Sequence, residues 1–531
     1  MRSYLRRVAA LGLLLLLVLI PACSGGRSSK GGGPSSVVPP SQQPATSSPA
    51  PAVSAPDNLV VFTTVDDFSK GTHEGTEAVP VNNGAVGLTT GVTKGTYTSP
   101  EIATKPFEYL ILSWNADTPK GTYIEIEGRV YAGTEGKRQW SNWLSWGYWS
   151  ASAFTGPDGK TMLAGSAPGD KAEDVLAKVD TDELYVKGKA GETADRFQYR
   201  LTLHGADSGT PKVYLVAGTI RNSLKGQTIA KTVAPGEPDL TKLDKDLDVP
   251  TYSQYLRHSA ISGSICSPTS VAMALGYHGV DVSPEEAAWG VNDYEGDMFG
   301  NWPFNTAYAS AQGLTAYVEY GTPGEGVDPW YAVKREINAG NPVIVSVRYR
   351  KPGVMSSSEP EVEGVPIDST SGHLVLIRGF TWKDGKEYVI VNDSAARKLD
   401  EVRRLYPADQ FFKAWTKKVM YVIRRDEGEV AQACLQAPIA GALVKVGSVA
   451  GGVQKYELQV DGNPVNINAD NVRSIVVSYN GEKTTPVNPR MPSLSESNLL
   501  HFKVDSKAGK YTYWFFGMNK ETYKAEINWV K

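Results

Sequence analysis

The chain has 531 residues, of which 41% are apolar and 21% charged, and its formal net charge is −3. That balance excludes a largely disordered chain or a polytopic membrane protein, and it lacks the basic footprint of a nucleic-acid binder. Three cysteines exclude a disulfide scaffold, and 12 Trp, 26 Tyr, 53 Gly and 33 Pro favour β-rich modules over a helical bundle.

Arg2, Arg6 and Arg7 precede a run of 13 apolar or small residues, 8–20, which is too short to span a bilayer comfortably and reads as a secretory h-region. The segment Ile20-Pro21-Ala22-Cys23 closes it. A cysteine directly after a small residue at this point resembles the lipobox of bacterial lipoproteins. The resemblance implies removal of residues 1–22 and a lipid on Cys23. Residues 24–57 are rich in Gly, Ser, Pro and Ala, so they cannot bury enough surface to offset chain entropy and read as a flexible tether. The expected location is the outer face of the cytoplasmic membrane or the cell envelope, with the membrane contacted through Cys23.

Residues 58–233 contain short β-like runs separated by turn clusters, such as EYLILSW and FQYRLTLHG, and predict an antiparallel β-sandwich. Trp140, Trp143, Trp146 and Trp149 recur at three-residue intervals. Two readings stand open. The rings fill the sandwich core and a neighbouring interface, or some of them stack on sugar, giving a cell-wall glycan contact in which Trp140 and Trp143 bind substrate. His73 and His204 read as surface or turn residues. With its SWNADTP segment and this tryptophan run, the module resembles the accessory module that precedes the catalytic domain in some secreted bacterial peptidases. Residues 234–249 carry no strong period and read as a linker.

Residues 250–426 change character. Ser283-Pro284-Glu285-Glu286 has the pattern of a capping box with proline at the first helical position, and Asp328-Pro329 opens a helix ending near Gly340. Apolar strands follow, so helices first and antiparallel strands later argue α+β. Residues 427–531 return to β punctuation, with Asn480-Gly481 as a hairpin signal, and suggest a small Ig-like β-sandwich. His501 reads as a strand residue.

Cys266 lies at the start of a predicted helix that ends at Gly279. Pro268 fits its first position, with Cys266 or Ser267 as the cap. One side of this helix, with Val271, Ala272, Leu275 and Ala274, should be buried. A thiol there meets unpaired N–H groups and the helix dipole, which favour thiolate, and the same N–H groups can hold an oxyanion. A small buried hydrophobe is the equally available reading. His373 opens one strand and Asp393 closes the next, with Asp384-Gly385 near the midpoint. If the strands form a hairpin, imidazole and carboxylate share one end of the sheet, giving nucleophile, base and orienting acid. His278, at the end of the Cys266 helix, reads as a charge partner for the helix C-terminus, and His258 as a loop residue that could touch substrate. The long polar stretch 350–372 reads either as a border of the cleft or as surface disorder. The histidines are scattered, with no zinc spacing, and no P-loop or G-x-S-x-G elbow is present. Cys434 is not expected to pair with Cys266.

Gln254, then Cys266-Ser267-Pro268-Thr269-Ser270, then Gly372-His373, then Asn392-Asp393 resemble, in that order, papain-like cysteine peptidases of the bacteriocin-leader (double-glycine, C-thirty-nine-like) type. The resemblance covers residues 248–426. It implies a multidomain protein whose central α+β papain-like cysteine peptidase fold is flanked by the two β-sandwiches. It further implies Cys266 as nucleophile, His373 as base and acid, Asp393 as orienter and Gln254 as oxyanion donor. Where the family often has Gly after the cysteine, Ser267 stands, and Ser394 stands where proline frequently follows the acid. The expected activity is hydrolysis of a peptide or protein substrate through a thioester, with no metal or cofactor needed. Alternatives are an inactive surface adhesin and an acyl-transferring relative, either transglutaminase-like or a peptidoglycan amidase or endopeptidase.

Overall fold

The computed structural model describes residues 58–134, 136–157, 159, 161–188, 192–223, 238–257, 261–321, 328–425, 439–449, 453–465, 472–479, 493–494, 499–503, 509–517 and 522–529. The signal, the tether, Cys23, His258, Cys434 and Asn480-Gly481 lie outside these residues.

Residues 58–223 form two antiparallel sheets around one shared core. The first carries β1 (Tyr109–Asp117), β4 (Ala177–Asp180), β5 (Glu183–Val186) and β7 (Lys212–Arg221). The second carries β2 (Tyr123–Gly133), β3 (Leu144–Thr155) and β6 (Thr193–His204). Strand β2 alternates buried and half-buried positions, as a strand with one wet face should. Strand β1 does not. Leu110, Leu112 and Trp114 face the sandwich core, while Ile111 joins the core of the following domain. A strand covered on both faces reads as a continuous apolar run, which is why YLILSW lacks alternation.

The next domain begins earlier than the linker reading implies. Leu240, Leu247 and Val249 are buried, and Lys245–Asp246 pairs with residues 379–380. Gly379 is needed there, because a Cβ would collide with the Lys245 carbonyl. The helices are α1 (Cys266–Tyr277), α2 (Pro284–Gly290), α3 (Trp302–Ala311), α4 (Tyr331–Ala339) and α5 (Ala408–Ala414). The strands are β8 (Thr315–Tyr320), β9 (Val343–Arg350), β10 (Ser369–Lys383), β11 (Lys386–Asn392), β12 (Arg403–Pro407) and β13 (Val419–Arg424). They form one antiparallel sheet in the order β8-β13-β9-β10-β11-β12. The expected capping box at Ser283 and Glu286 is present, and Gly340 ends α4 in the left-handed conformation at φ 92°. Helix α4 starts at Tyr331, three residues past Asp328, whose carboxylate accepts from the Trp330 N–H at 2.8 Å and pairs with buried Lys334.

Edge strand β8 is closed by the first module. Asn115 pairs its side-chain amide with the backbone of Ala316, donating to its carbonyl and accepting from its N–H at 3.2 Å. The Ser113 hydroxyl accepts from the Val318 N–H at 3.0 Å, and Thr219 Oγ1 accepts from the Tyr320 N–H at 3.0 Å. Every second residue of an otherwise open edge is satisfied by a side chain, so the edge cannot template further strands.

Among the described residues beyond 438, the strands pair in one sheet that includes a parallel pair, Ile439–Val449 with Thr522–Trp529. This sheet has its own core, built from Tyr456, Leu458, Leu500, Tyr511, Tyr513 and Phe515 with their neighbours.

Candidate active site

Cys266 is the first residue of α1 and Ile265 is the cap, so Pro268 falls two residues further in than the sequence suggests. Helix α1 is buried from Ser267 through Leu275, on all sides rather than one. Its polar side chains therefore need internal partners. Ser267 Oγ donates to Asn305 Oδ1 at 2.8 Å and shares a 3.0 Å bond with the Tyr421 hydroxyl, while Ser270 Oγ donates to the Leu374 carbonyl at 3.1 Å. Two turns of α1 are thus tied to α3, β13 and β10.

The β10–β11 hairpin turns at Asp384-Gly385, both at positive φ (50° and 74°), as a tight primed turn requires. Its register sets Leu376 opposite Asn392, so Asp393 falls one step further, beside Val375 and two residues from His373 on the same face. His373 Nε2 meets Asp393 Oδ1 at 2.8 Å, and the imidazole lies within electrostatic reach of the Cys266 thiol. With Nε2 committed to the carboxylate, Nδ1 is the nitrogen left for the thiol. His373 and Asp393 are buried, and Cys266 is part-exposed.

Sequence reading missed the anchors of the acid. Asp393 Oδ2 accepts from the Tyr349 hydroxyl at 3.0 Å and the Tyr406 hydroxyl at 2.8 Å, and Oδ1 also accepts from the Ala395 N–H at 2.9 Å. A fully buried carboxylate is tolerated only when its oxygens are satisfied in this way. The signal for Tyr406 was its register with Val389 across β11 and β12, which no local pattern discloses.

These contacts set the charges. Burial pushes the His373 pKa down, but the Asp393 carboxylate and Cys266 raise it to about 10. Burial pushes the Cys266 thiol up, but the imidazole and the N–H groups of Leu374 and Ser267 bring it below its ordinary value. Burial likewise opposes ionisation of Asp393, and His373, Ala395 and Tyr406 hold its pKa below the usual carboxylate range. All three shifts act toward thiolate, imidazolium and carboxylate.

Gln254 is buried beside the acid. Its N–H donates to the Ser394 carbonyl at 2.9 Å, its Oε1 accepts from Ser394 Oγ at 2.8 Å, and its Nε2 donates to the Ser262 carbonyl at 2.9 Å. Ser394, where proline is frequent, therefore orients the glutamine. Arg257, three residues on, forms a buried two-pronged ion pair with Glu285 at the start of α2.

Other expected residues behave differently. His278 caps α1 but is not a charge partner: its Nε2 meets the Ile423 carbonyl at 3.2 Å, and burial and Arg425 lower its pKa. His204 is a strand residue of β6, stacked on Tyr123 with centroids 4.1 Å apart, and burial lowers its pKa to about 4. Residues 350–368 are pinned by Arg350 to the carbonyls of Val354 and Glu359, and Val362 and Val365 are buried. Trp146 and Trp149 fill the sandwich core, while Trp140 and Trp143 each lie 4.6 Å from the Arg129 guanidinium, with Arg200 at 4.5 Å from Trp143. Among the described residues, no cluster of three or more His, Cys, Asp or Glu side chains could hold a metal, and no helix is long and apolar enough to cross a membrane.

Residues 246–421 match the family model described as Peptidase_C39 like family, and residues 58–220 match the model described as Peptidase C39 N-terminal domain. No curated protein matches the chain. Among solved structures, TmCBM61 in complex with β-1,4-galactotriose aligns with 28% of this chain and 89% of its own at 13% identity and a TM-score of 0.16. Tp47, the 47-kilodalton lipoprotein of Treponema pallidum, aligns with 81% of this chain and 91% of its own at 8% identity and a TM-score of 0.09. Neither likeness carries an argument. The two family matches, one over each of the domains that meet at β8, support a C39-like peptidase with its N-terminal domain.

Proposed function

We propose that this protein is a papain-like cysteine peptidase that hydrolyses peptide bonds through a thioester on Cys266, held outside the cytoplasmic membrane by a lipid on Cys23. The observation that carries the reading is the buried His373–Asp393 contact of 2.8 Å, with the imidazole within electrostatic reach of the Cys266 thiol. Thiolate Sγ attacks the scissile carbonyl carbon. The carbonyl oxygen takes the negative charge beside the Cys266 N–H and the Gln254 side-chain amide. His373 gives its proton to the departing amine, leaving the acyl group on sulfur. It then takes a proton from water as that water attacks the thioester, which releases the acid and restores the thiolate.

The full chain in detergent, incubated with a peptide library and read by mass spectrometry, tests this. New amino termini that vanish with Cys266→Ala support hydrolysis. Coupling of an added primary amine to the acyl fragment instead identifies a transferase. No turnover of any peptide by the parent chain contradicts the reading. Fatty-acid labelling of the parent but not of Cys23→Ser tests the anchor.

A further inference from the structure

The N-terminal module reaches the nucleophile through one buried carboxylate. Asp182 sits at the tip of the β4–β5 hairpin, after Thr181 at φ 66°. Its carbonyl accepts from the Trp146 indole at 2.9 Å, which fixes the tip against the module core. Its Oδ2 crosses to the peptidase domain and accepts from the Trp302 N–H, the first residue of α3, at 3.2 Å. Asn305, one turn later, holds Ser267 at 2.8 Å, and Ser267 adjoins Cys266. The Tyr421 hydroxyl, 3.0 Å from Ser267 Oγ, lies within electrostatic reach of both Asp182 and Cys266.

The same hairpin is clamped alongside. Glu183 accepts from the Tyr320 hydroxyl at 2.5 Å and from Lys417 at 2.7 Å, and Lys417 lies 5.0 Å from the Trp302 ring. A second tie runs through Asp293, which accepts from the Ser166 N–H at 2.9 Å and from Asn301, the α3 cap, at 3.1 Å. Helix α3 therefore starts on one direct contact from the module, Asp182 to the Trp302 N–H, and on one relayed from Ser166 through Asp293 of the peptidase domain.

We infer that the N-terminal module completes the active site, with Asp182 as a positioning residue that sets the nucleophile turn through Trp302, Asn305 and Ser267. The inference rests on Cys266 being the nucleophile. It gives the module a role in catalysis besides covering the edge of β8. Burial and Glu183 raise the Asp182 pKa to about 8, against the pull of Trp302 and Lys417, so its charge changes near the working range. The titratable groups facing it are Glu183 and Asp180 on its own hairpin and Lys417 and Tyr421 from the peptidase domain.

The test is the alkylation rate of Cys266 in the full chain in detergent, read on the Cys266 peptide by mass spectrometry from pH 5 to 10. Asp182→Ala should slow the reaction at pH 7 at least about five-fold, and Asp182→Asn, which keeps an oxygen for the Trp302 N–H, should restore it to within about two-fold. Asp182→Asn should also remove any inflection near pH 8. Tyr421→Phe should slow alkylation, and adding Asp182→Ala should slow it less than the product of the two single effects, as coupled residues do. Equal rates and pH profiles in the parent and both Asp182 variants, or strictly multiplicative effects, would overturn the inference. If Asp182→Ala does not fold, the Asp182→Asn profile decides: an unchanged inflection near pH 8 refutes the assignment. A parent chain whose Cys266 behaves as an ordinary thiol refutes the nucleophile itself, a different outcome from a reactive Cys266 indifferent to Asp182.

Discussion

Asp393 carries the largest burden of any single residue, because a buried carboxylate must hold the imidazole in place and remain charged. Two tyrosine hydroxyls, one backbone N–H and the imidazole share its oxygens. Tyr406→Phe and Tyr349→Phe each remove one bond to a charged group and should each cost about 1.5–3 kcal/mol of stability. They should also weaken the hold on imidazolium, so the alkaline limb of Cys266 reactivity should move below the His373 pKa of about 10. Urea unfolding and a pH–rate profile check both. The sign of the linkage follows from the direction of the shift. His373 is raised in the fold, so its contribution is fully present below its ordinary pKa of 6.5 and fades as pH rises through about 10. Cys266, His373 and Asp393 could be singled out in the sequence from a helix start and from the ends of two apolar runs, although β10 begins at Ser369, four residues before His373, and β11 ends at Asn392. The tyrosines could not, because only strand register brings them to Asp393.

At the scale of elements, the β10–β11 hairpin was readable from Asp384-Gly385 and the apolar runs on either side, and α2 from its capping box. The environment of β1 was harder. EYLILSW reads only as one run of an antiparallel sandwich, and neither it nor Ser113 and the following Asn115 says what covers the second face. The structure shows Asn115 satisfying both backbone groups of Ala316 on the β8 edge. Asn115→Ala leaves these two buried groups without partners and should destabilise the fold by about 2–6 kcal/mol, taking about 1–3 kcal/mol for each unsatisfied group. Urea denaturation of the full chain measures it. Asn115→Asp, which keeps an acceptor but loses the donor, should cost more than a surface substitution, because it also buries a charge without a partner.

Across the whole molecule, the first two domains share cores. Phe304, Ala307 and Ala311 of α3 join the sandwich core, while Ile111, Leu215 and Ala217 join the peptidase core. Domain boundaries read from composition separate these residues, because a linker-like stretch says nothing about how the domains on either side pack. The two should unfold in one calorimetric transition, whereas two well-separated transitions would refute the shared core. The last sheet is different in kind, with strands that pair among themselves around their own core. Removing residues 439–531 should leave the alkylation rate of Cys266 within about two-fold of the full chain and leave the main transition in place.

The most direct measurement is the rate of Cys266 alkylation against pH in the full chain, beside His373→Ala. The thiolate–imidazolium pair predicts rapid alkylation well below pH 8, and His373→Ala should shift the rise to the ordinary thiol range near ~8.5 and slow the reaction at pH 6 at least about ten-fold. A parent chain whose rate rises only near ~8.5, with no change on His373→Ala, would contradict the account.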